Sequence, residues 1–233
     1  MPRHSGRLDI VYEDRVLLVV NKPPGLLSVP LKRRSDASSV VDQLEDYFRS
    51  HGKRRPFVVH RIDRDTSGLV LFAKDARTQA ALKAQFQRRE PGREYLAVVR
   101  GHLDPPAGTW RDHLAWDRKA LVQKKTHARD PRGMEAISEY KTIERFRDAS
   151  LIAVRLETGK RNQIRVQAGL RGHPLIGEKK YVFRTEEGRA IPLPRQAPHA
   201  HRLSFAHPVN GQPLRFEAPP PADFTALLQR LRT

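Results

Sequence analysis

Residues 57–74 read FVVHRIDRDTSGLVLFAK. Two apolar runs of strand length are separated by a charged segment that closes on Asp65-Thr66-Ser67-Gly68, a turn signature. Acidic and guanidinium side chains therefore emerge from rigid, buried supports rather than from a mobile loop. If the first strand continues through Arg61, alternation sends Arg61 and Asp63 to one face and His60 and Ile62 to the other. Asp65 suits the first position of a type I turn ending at Gly68, a structural duty that accounts for that carboxylate. Asp63 has no such duty. An Arg-x-Asp at a strand end is commonly a surface ion pair worth less than about 1 kcal/mol, so the case for Asp63 depends on what distant segments bring to it.

The chain has 233 residues, 38% hydrophobic and 30% charged, which is enough for one sizeable domain with a real core. The longest unbroken apolar runs, Val16 to Val20 and Leu69 to Ala73, are five residues each, far short of the roughly 20 that span a bilayer. MPRHSGRLD at the N-terminus lacks the apolar stretch of a secretory signal, and the absence of cysteine excludes disulfide scaffolds and thiolate metal sites. A cytoplasmic location is the expectation. With 44 Lys plus Arg against 26 Asp plus Glu, the net charge is +18, which points to a polyanionic partner bound through counterion release. No long basic amphipathic helix suggests a lipid surface instead.

Residues 8–20, LDIVYEDRVLLVV, read as a hairpin around Glu13-Asp14, and Asn21-Lys22-Pro23-Pro24-Gly25 stops the second strand. After the basic run Lys32-Arg33-Arg34, Val40, Val41, Leu44, Tyr47 and Phe48 recur at helical spacing, and Lys53-Arg54-Arg55 follow that helix. Asp75 stands where an N-cap belongs, ahead of a helix with Leu82 and Phe86 on one side and a cationic exposed face. Residues 93–101, 134–146 and 151–156 read as strands, whereas 104–133 reads as a loop or ribbon presenting Arg118, Lys119, Lys124, Lys125 and Arg129. Thr158-Gly159-Lys160-Arg161 turns into a helix start, where backbone N–H groups meet Lys160, Arg161 and Arg165 in an anion-binding geometry. Residues 182–196 look like a charged insertion, and Asp223 is the expected N-cap of a closing helix with Phe224, Leu227, Leu228 and Leu231 on one stripe. His199 and His201 share a strand face without Cys or carboxylate partners nearby in sequence, so no metal site is expected.

HRIDRDTSGLVLFAK resembles the signature of the RluA family of pseudouridine synthases, commonly HRLDRDTSGLLLLAK. LLVVNKPPGLLSVP, TGKRNQIRVQ, GHPLIGEKKY and PHAHRLSFAHP extend the resemblance over most of residues 8–225. It departs at Asn162 and Gln167, where His is common, and at Glu178, where Asp is usual. The resemblance implies an α+β fold, a mixed and mostly antiparallel sheet with flanking helices and a basic cleft, as one catalytic domain over residues 1–233 without a separate N-terminal RNA-binding module. It also implies Asp63 as the catalytic carboxylate, Arg165 as its charge partner, and Tyr95 stacking on the base. Arg61 maps to the residue that enters the RNA where the base has left. Lys22 is a candidate for either a phosphate or a structural contact, and Arg64, Lys160, Arg161, Lys124 and Lys125 are the remaining candidate RNA contacts.

The expected activity is isomerisation of uridine to pseudouridine in structured RNA, ribosomal or transfer, after the base flips out. No nucleotide-cofactor loop is present in the sequence, so no cofactor is expected, and a monomer is the default. The competing reading is a basic RNA-binding protein without catalysis, which charge alone does not separate from the enzyme. A glycosidase using Asp63 and Asp65, which would lie about 6.5 to 7 Å apart on one strand face, is disfavoured by the turn signature at Asp65.

Overall fold

The computed structural model describes residues 8–31, 38–50, 55–183 and 191–233. Lys32-Arg33-Arg34, Lys53, Arg54 and residues 184–190 of the expected insertion lie outside them. In chain order the elements are β1 (Asp9–Glu13), β2 (Leu17–Lys22), α1 (Val40–Ser50), β3 (Phe57–Val58), β4 (Ser67–Ala73), α2 (Ala76–Gln87) and β5 (Gly92–Arg100). They continue with β6 (Ala107–Asp117), β7 (Val122–Thr126), β8 (Met134–Arg145), β9 (Ala149–Leu156), α3 (Gln163–Leu170), β10 (Pro198–Ala206), β11 (Pro213–Glu217) and α4 (Ala222–Arg232). The chain is α+β, as the sequence implied. It divides into two compact units, Met1–Gly92 with Ala200–Pro221, and Arg93–His199 with Ala222–Thr233.

In the first unit β1 and β2 form the expected antiparallel hairpin. Asp14 holds its turn: Oδ1 accepts the N–H groups of Val16 (2.7 Å) and Leu17 (2.8 Å), and Oδ2 accepts the Tyr12 hydroxyl (2.9 Å). β4 pairs with the other edge of β2, Leu17 opposite Ala73 and Lys22 opposite Gly68. Leu17 to Val20 have no exposed surface, which is why both strands read as unbroken apolar runs instead of alternating. Leu17, Val19, Leu69 and Leu71 share one cluster with Leu82 of α2, Leu203 and Phe205. Asp75 caps α2 as expected, accepting the Thr78 N–H at 2.8 Å. α1 is capped reciprocally: Asp42 donates its N–H to Ser39 Oγ and its carboxylate accepts the Ser39 N–H.

The second unit is built on the antiparallel order β5-β9-β8-β6-β7. Segment 104–133, expected as loop or ribbon, is largely a long hairpin. Trp110, Asp112 and Leu114 alternate inward along β6, a period masked in the sequence by flanking proline, glycine and charge. α4 packs Phe224, Leu227 and Leu228 against Leu96, Val98 and Leu151. Asp223 is not its N-cap. The helix starts at Ala222, and the Asp223 carboxylate instead holds Arg195 through Nε (2.6 Å) and Nη2 (2.9 Å).

Gly68 has φ +106°, and a Cβ there would sit 2.2 Å from the Ala200 carbonyl oxygen. Both the backbone strain and the clash oppose any side chain, so Gly68→Ala is expected to lose at least about 2 kcal/mol. Urea unfolding checks this, and an unchanged midpoint would contradict the close approach.

Candidate active site

The first strand does not continue into the charged segment that carries Asp63. β3 ends at Val58, so strand alternation does not set the directions of Arg61 and Asp63. The turn also comes earlier than expected. Thr66 donates its N–H to the Asp63 carbonyl at 3.1 Å, which makes Asp63, not Asp65, the first residue of the turn. The ladder with β2 draws Ser67 and Gly68 into β4 and leaves no room for the later turn. Asp65 occupies the third turn position and receives the guanidinium of Arg64 (Nε at 3.0 Å). Asp63 is half-buried and Arg61 is exposed.

The backbone on both sides of Asp63 is bolted to the loop that follows β2. Ser28 Oγ donates to the Ile62 carbonyl (2.8 Å) and accepts the Ile62 N–H (3.2 Å). The Arg64 carbonyl receives the Gly25 N–H (2.9 Å) and the ammonium of Lys22 (2.8 Å). Lys22 also donates to the Pro23 and Leu26 carbonyls, each at 2.8 Å, and is 0% exposed. Of its two sequence readings, the structural one holds. An ammonium sealed from solvent with its three N–H groups on carbonyls does not reach an RNA phosphate, so Lys22 is withdrawn as an RNA contact.

Tyr95 and Arg165 belong to the second unit. Tyr95 is buried on β5 and shares a strand face with Arg93, two residues earlier. Arg93 donates from Nη2 to the Leu156 and Glu157 carbonyls, both at 3.2 Å, fixing the turn that leads to α3. A Cβ on Gly159 would come within 2.6 Å of Arg93 Nη1. Burial pulls the Arg93 pKa down, partly offset by the adjacent Tyr95 oxygen. The family resemblance puts a Lys or Arg ahead of the Tyr on this strand, a place Arg93 fills, but the sequence alone assigns it no role.

Arg165 on α3 forks onto Glu178, Nε to Oε2 at 2.6 Å and Nη2 to Oε1 at 2.8 Å, and donates from Nη1 to Asn162 Oδ1 at 2.9 Å. Its guanidinium carbon lies 5.1 Å from the Tyr181 ring centre. Asn162, in the left-handed region at φ 55°, also donates to the Tyr181 hydroxyl at 2.9 Å. Burial pushes the Glu178 carboxyl up, but the Arg165 hydrogen bonds and charge, with the N–H groups of Lys180 and Tyr181, outweigh it and hold the pKa below the usual range. Two of the three departures from the family pattern, Asn162 and Glu178, are thus partners of Arg165. The third, Gln167, is a buried hub that accepts from Ser138 Oγ (2.7 Å) and donates to Asp112, Trp110 and Ala136.

Of the candidate RNA contacts in this unit, Arg161 is exposed and lies 4.1 Å over the Trp116 ring. The Lys160 N–H donates to Gln163 Oε1 at 2.9 Å, so the turn amide faces its own side-chain cap. Lys124 is paired with Asp117 at 2.6 Å, which holds that carboxyl at about 2. Lys125 is exposed on the opposite face of β7. No group of three or more His, Asp or Glu residues able to hold a metal occurs among the described residues, and none of their helices is long and apolar enough to cross a membrane.

The structure is similar to that of human RNA pseudouridylate synthase domain containing 4, with a TM-score of 0.79 at 21% identity, over 96% of this chain and 93% of that one. The fold is therefore that of a pseudouridylate synthase. A family model described as RNA pseudouridylate synthase matches residues 16–169. An RNA pseudouridine synthase of Bacillus subtilis is 39% identical over 97% of this chain and 73% of its own length. Ribosomal large subunit pseudouridine synthase D of Zymomonas mobilis is 37% identical over 96% and 73%. The chain belongs to the RNA pseudouridylate synthase family, in its RluA branch.

Lys22→Met leaves three buried carbonyls without their donor and is expected to lose about 3 kcal/mol in urea unfolding; a loss below about 1 kcal/mol would contradict the clamp. Glu178→Gln leaves the part-buried Arg165 without its carboxylate and is expected to lose about 2 kcal/mol at neutral pH. Because the folded pKa of Glu178 is lowered, its contribution is complete above the unfolded value of about 4.3 and is lost as pH falls through the lower folded value. The stability gap between parent and variant should therefore narrow in acid. A gap that stays constant from pH 7 to 3 would remove the carboxylate's charge from the account.

Proposed function

We propose that this chain isomerises uridine to pseudouridine in large-subunit ribosomal RNA, with Asp63 as the catalytic carboxylate. The activity follows from the family. The RNA class rests on the name carried by the relative from Zymomonas mobilis and others like it. The observation that carries the choice of Asp63 is the double anchoring of its neighbours, Ile62 to Ser28 and Arg64 to Lys22 and Gly25. A carboxylate mounted on so fixed a backbone meets the positional tolerance that chemistry requires.

The reaction breaks the bond from C1′ to N1, turns the base and forms the bond from C1′ to C5. The C5 proton leaves, N1 gains a proton, and neither water nor an oxidant is consumed. Asp63 would attack the sugar or the base, or stabilise a cationic sugar. Tyr95 is assigned to the flipped base, by stacking and by moving the C5 proton, and Arg165 to the charge near the carboxylate. Arg61 is assigned to the space the flipped base leaves, and Arg64, Lys160, Arg161, Lys124 and Lys125 to the RNA backbone. The scheme takes the chain as one catalytic domain acting as a cytoplasmic monomer.

Tritium release from unmodified ribosomal RNA labelled at uridine C5 tests the assignment. Asp63→Asn is expected to release at least about a hundredfold more slowly than the parent while binding RNA with similar affinity. Equal release by both proteins would discard Asp63. Release by neither, with binding intact, would favour a non-catalytic RNA-binding protein.

A further inference from the structure

A shallow groove of about 460 Å³ lies in the first unit, between α1, the segment 55–61 and α2. Glu45, Arg55, Phe57, Arg61, Gln79 and Lys83 line it, three cations against one carboxylate. Several basic side chains described above are spent on partners: Lys22 on carbonyls, Arg165 on Glu178 and Arg195 on Asp223. The groove cations differ. Arg55, Arg61 and Lys83 are all exposed. Among the described residues none of the three is paired with a carboxylate, and Arg55 lies 4.7 Å over the Phe57 ring.

The groove floor is fixed. Gln79 Nε2 donates to the Val58 carbonyl at 2.6 Å, which ties α2 to β3. His60 accepts the Leu71 N–H on Nε2 at 3.1 Å and stacks on Phe86, with ring centres 4.9 Å apart. Arg61 thus lies between His60, held by Leu71, and Ile62, held by Ser28. Unpaired guanidinium and ammonium groups on a rigid floor bind phosphodiesters at little ordering cost. An aromatic ring under Arg55 holds one of them in place.

We propose that this groove is a subsite for the sugar-phosphate backbone of the RNA strand that leads to Asp63, with Arg55 and Lys83 as phosphate contacts. Arg61 marks its end toward Asp63, two residues further along the same segment. The subsite rests on the reading of the chain as an RNA-modifying enzyme. It concerns binding rather than chemistry, so the two are tested separately.

The experiment measures binding of a fluorescein-labelled twelve-residue oligouridylate by anisotropy across a salt series, with the full chain. Arg55→Gln/Lys83→Gln is expected to bind about tenfold more weakly and to flatten the plot of log K against log salt by about 1.4, two lost contacts at about 0.7 each on a single strand. Both positions are exposed, so the thermal midpoint should match the parent. Arg147→Gln/Arg215→Gln removes the same charge from exposed positions outside the groove, and is expected to leave the slope within about 0.3 of the parent. An unchanged slope in the groove variant would overturn the subsite, and so would an equal fall in the control. A groove-dependent loss of the same size with poly-glutamate as probe would reduce the site to a general anion patch and also overturn it. If the groove variant behaves as expected while the parent releases no tritium from labelled ribosomal RNA, the subsite stands and the catalytic reading fails.

Discussion

The ammonium of Lys22, without exposed surface, gathers the carbonyls of Pro23, Leu26 and Arg64 around one charge. Burying a cation is expensive unless its donors are satisfied, and three carbonyl oxygens satisfy this one. The result is a joint between the loop leaving β2 and the turn that opens at Asp63. Ser28 makes a second joint on Ile62, so a segment without strand hydrogen bonds of its own is nonetheless fixed at both ends. β2 and β4 position the two halves of this joint, because their ladder pairs Lys22 with Gly68. The sheet, in other words, exists at this point to hold a loop still.

What the sequence disclosed, and what it hid, follows from where local forces dominate. The β1–β2 hairpin, the Asp75 cap of α2 and the buried runs of β2 and β4 were legible, since each is set by neighbours a few residues away. The errors arose where a distant partner decides. Alternation at Arg61 and Asp63 requires the first strand to continue past Val58, but the hydrogen bonds there go to Ser28, Lys22 and Gly25 instead of to a ladder. Asp65 fits the turn that belongs to Asp63 only while Gly68 counts as a turn residue. It is a strand residue whose positive φ and lack of a Cβ admit the backbone of Ala200. Asp223 looked like a cap and proved to be the partner of Arg195, 28 positions earlier.

Charge shows the same division. A net charge of +18 signals a polyanion, but the total does not say which cations are available. Arg171 is drawn to Asp112, Arg132 to Asp130 and Arg232 to Glu144. Lys22 and Lys124 seemed equivalent candidates by composition. One is sealed in a core and the other is exposed beside a carboxylate. Availability is a property of the folded surface, and the sequence reports only the supply.

The departures from the family pattern are the sharpest instance. Asn162 and Glu178, 16 positions apart in the chain, would pass separately as scattered substitutions. Folded, they meet on one guanidinium, and Tyr181 completes the set by accepting from Asn162 and lying under Arg165. A bidentate carboxylate fixes a guanidinium in direction as well as in place. It also cancels most of the formal charge that Arg165 would otherwise project. Any electrostatic help Arg165 gives to a substrate or a neighbouring carboxylate is then that of a nearly neutral, rigid pair with its donors aimed, rather than that of an isolated cation. Glu178, its pKa lowered and its carboxylate held by backbone N–H groups as well as by Arg165, thus fixes the direction of the guanidinium the sequence pointed to.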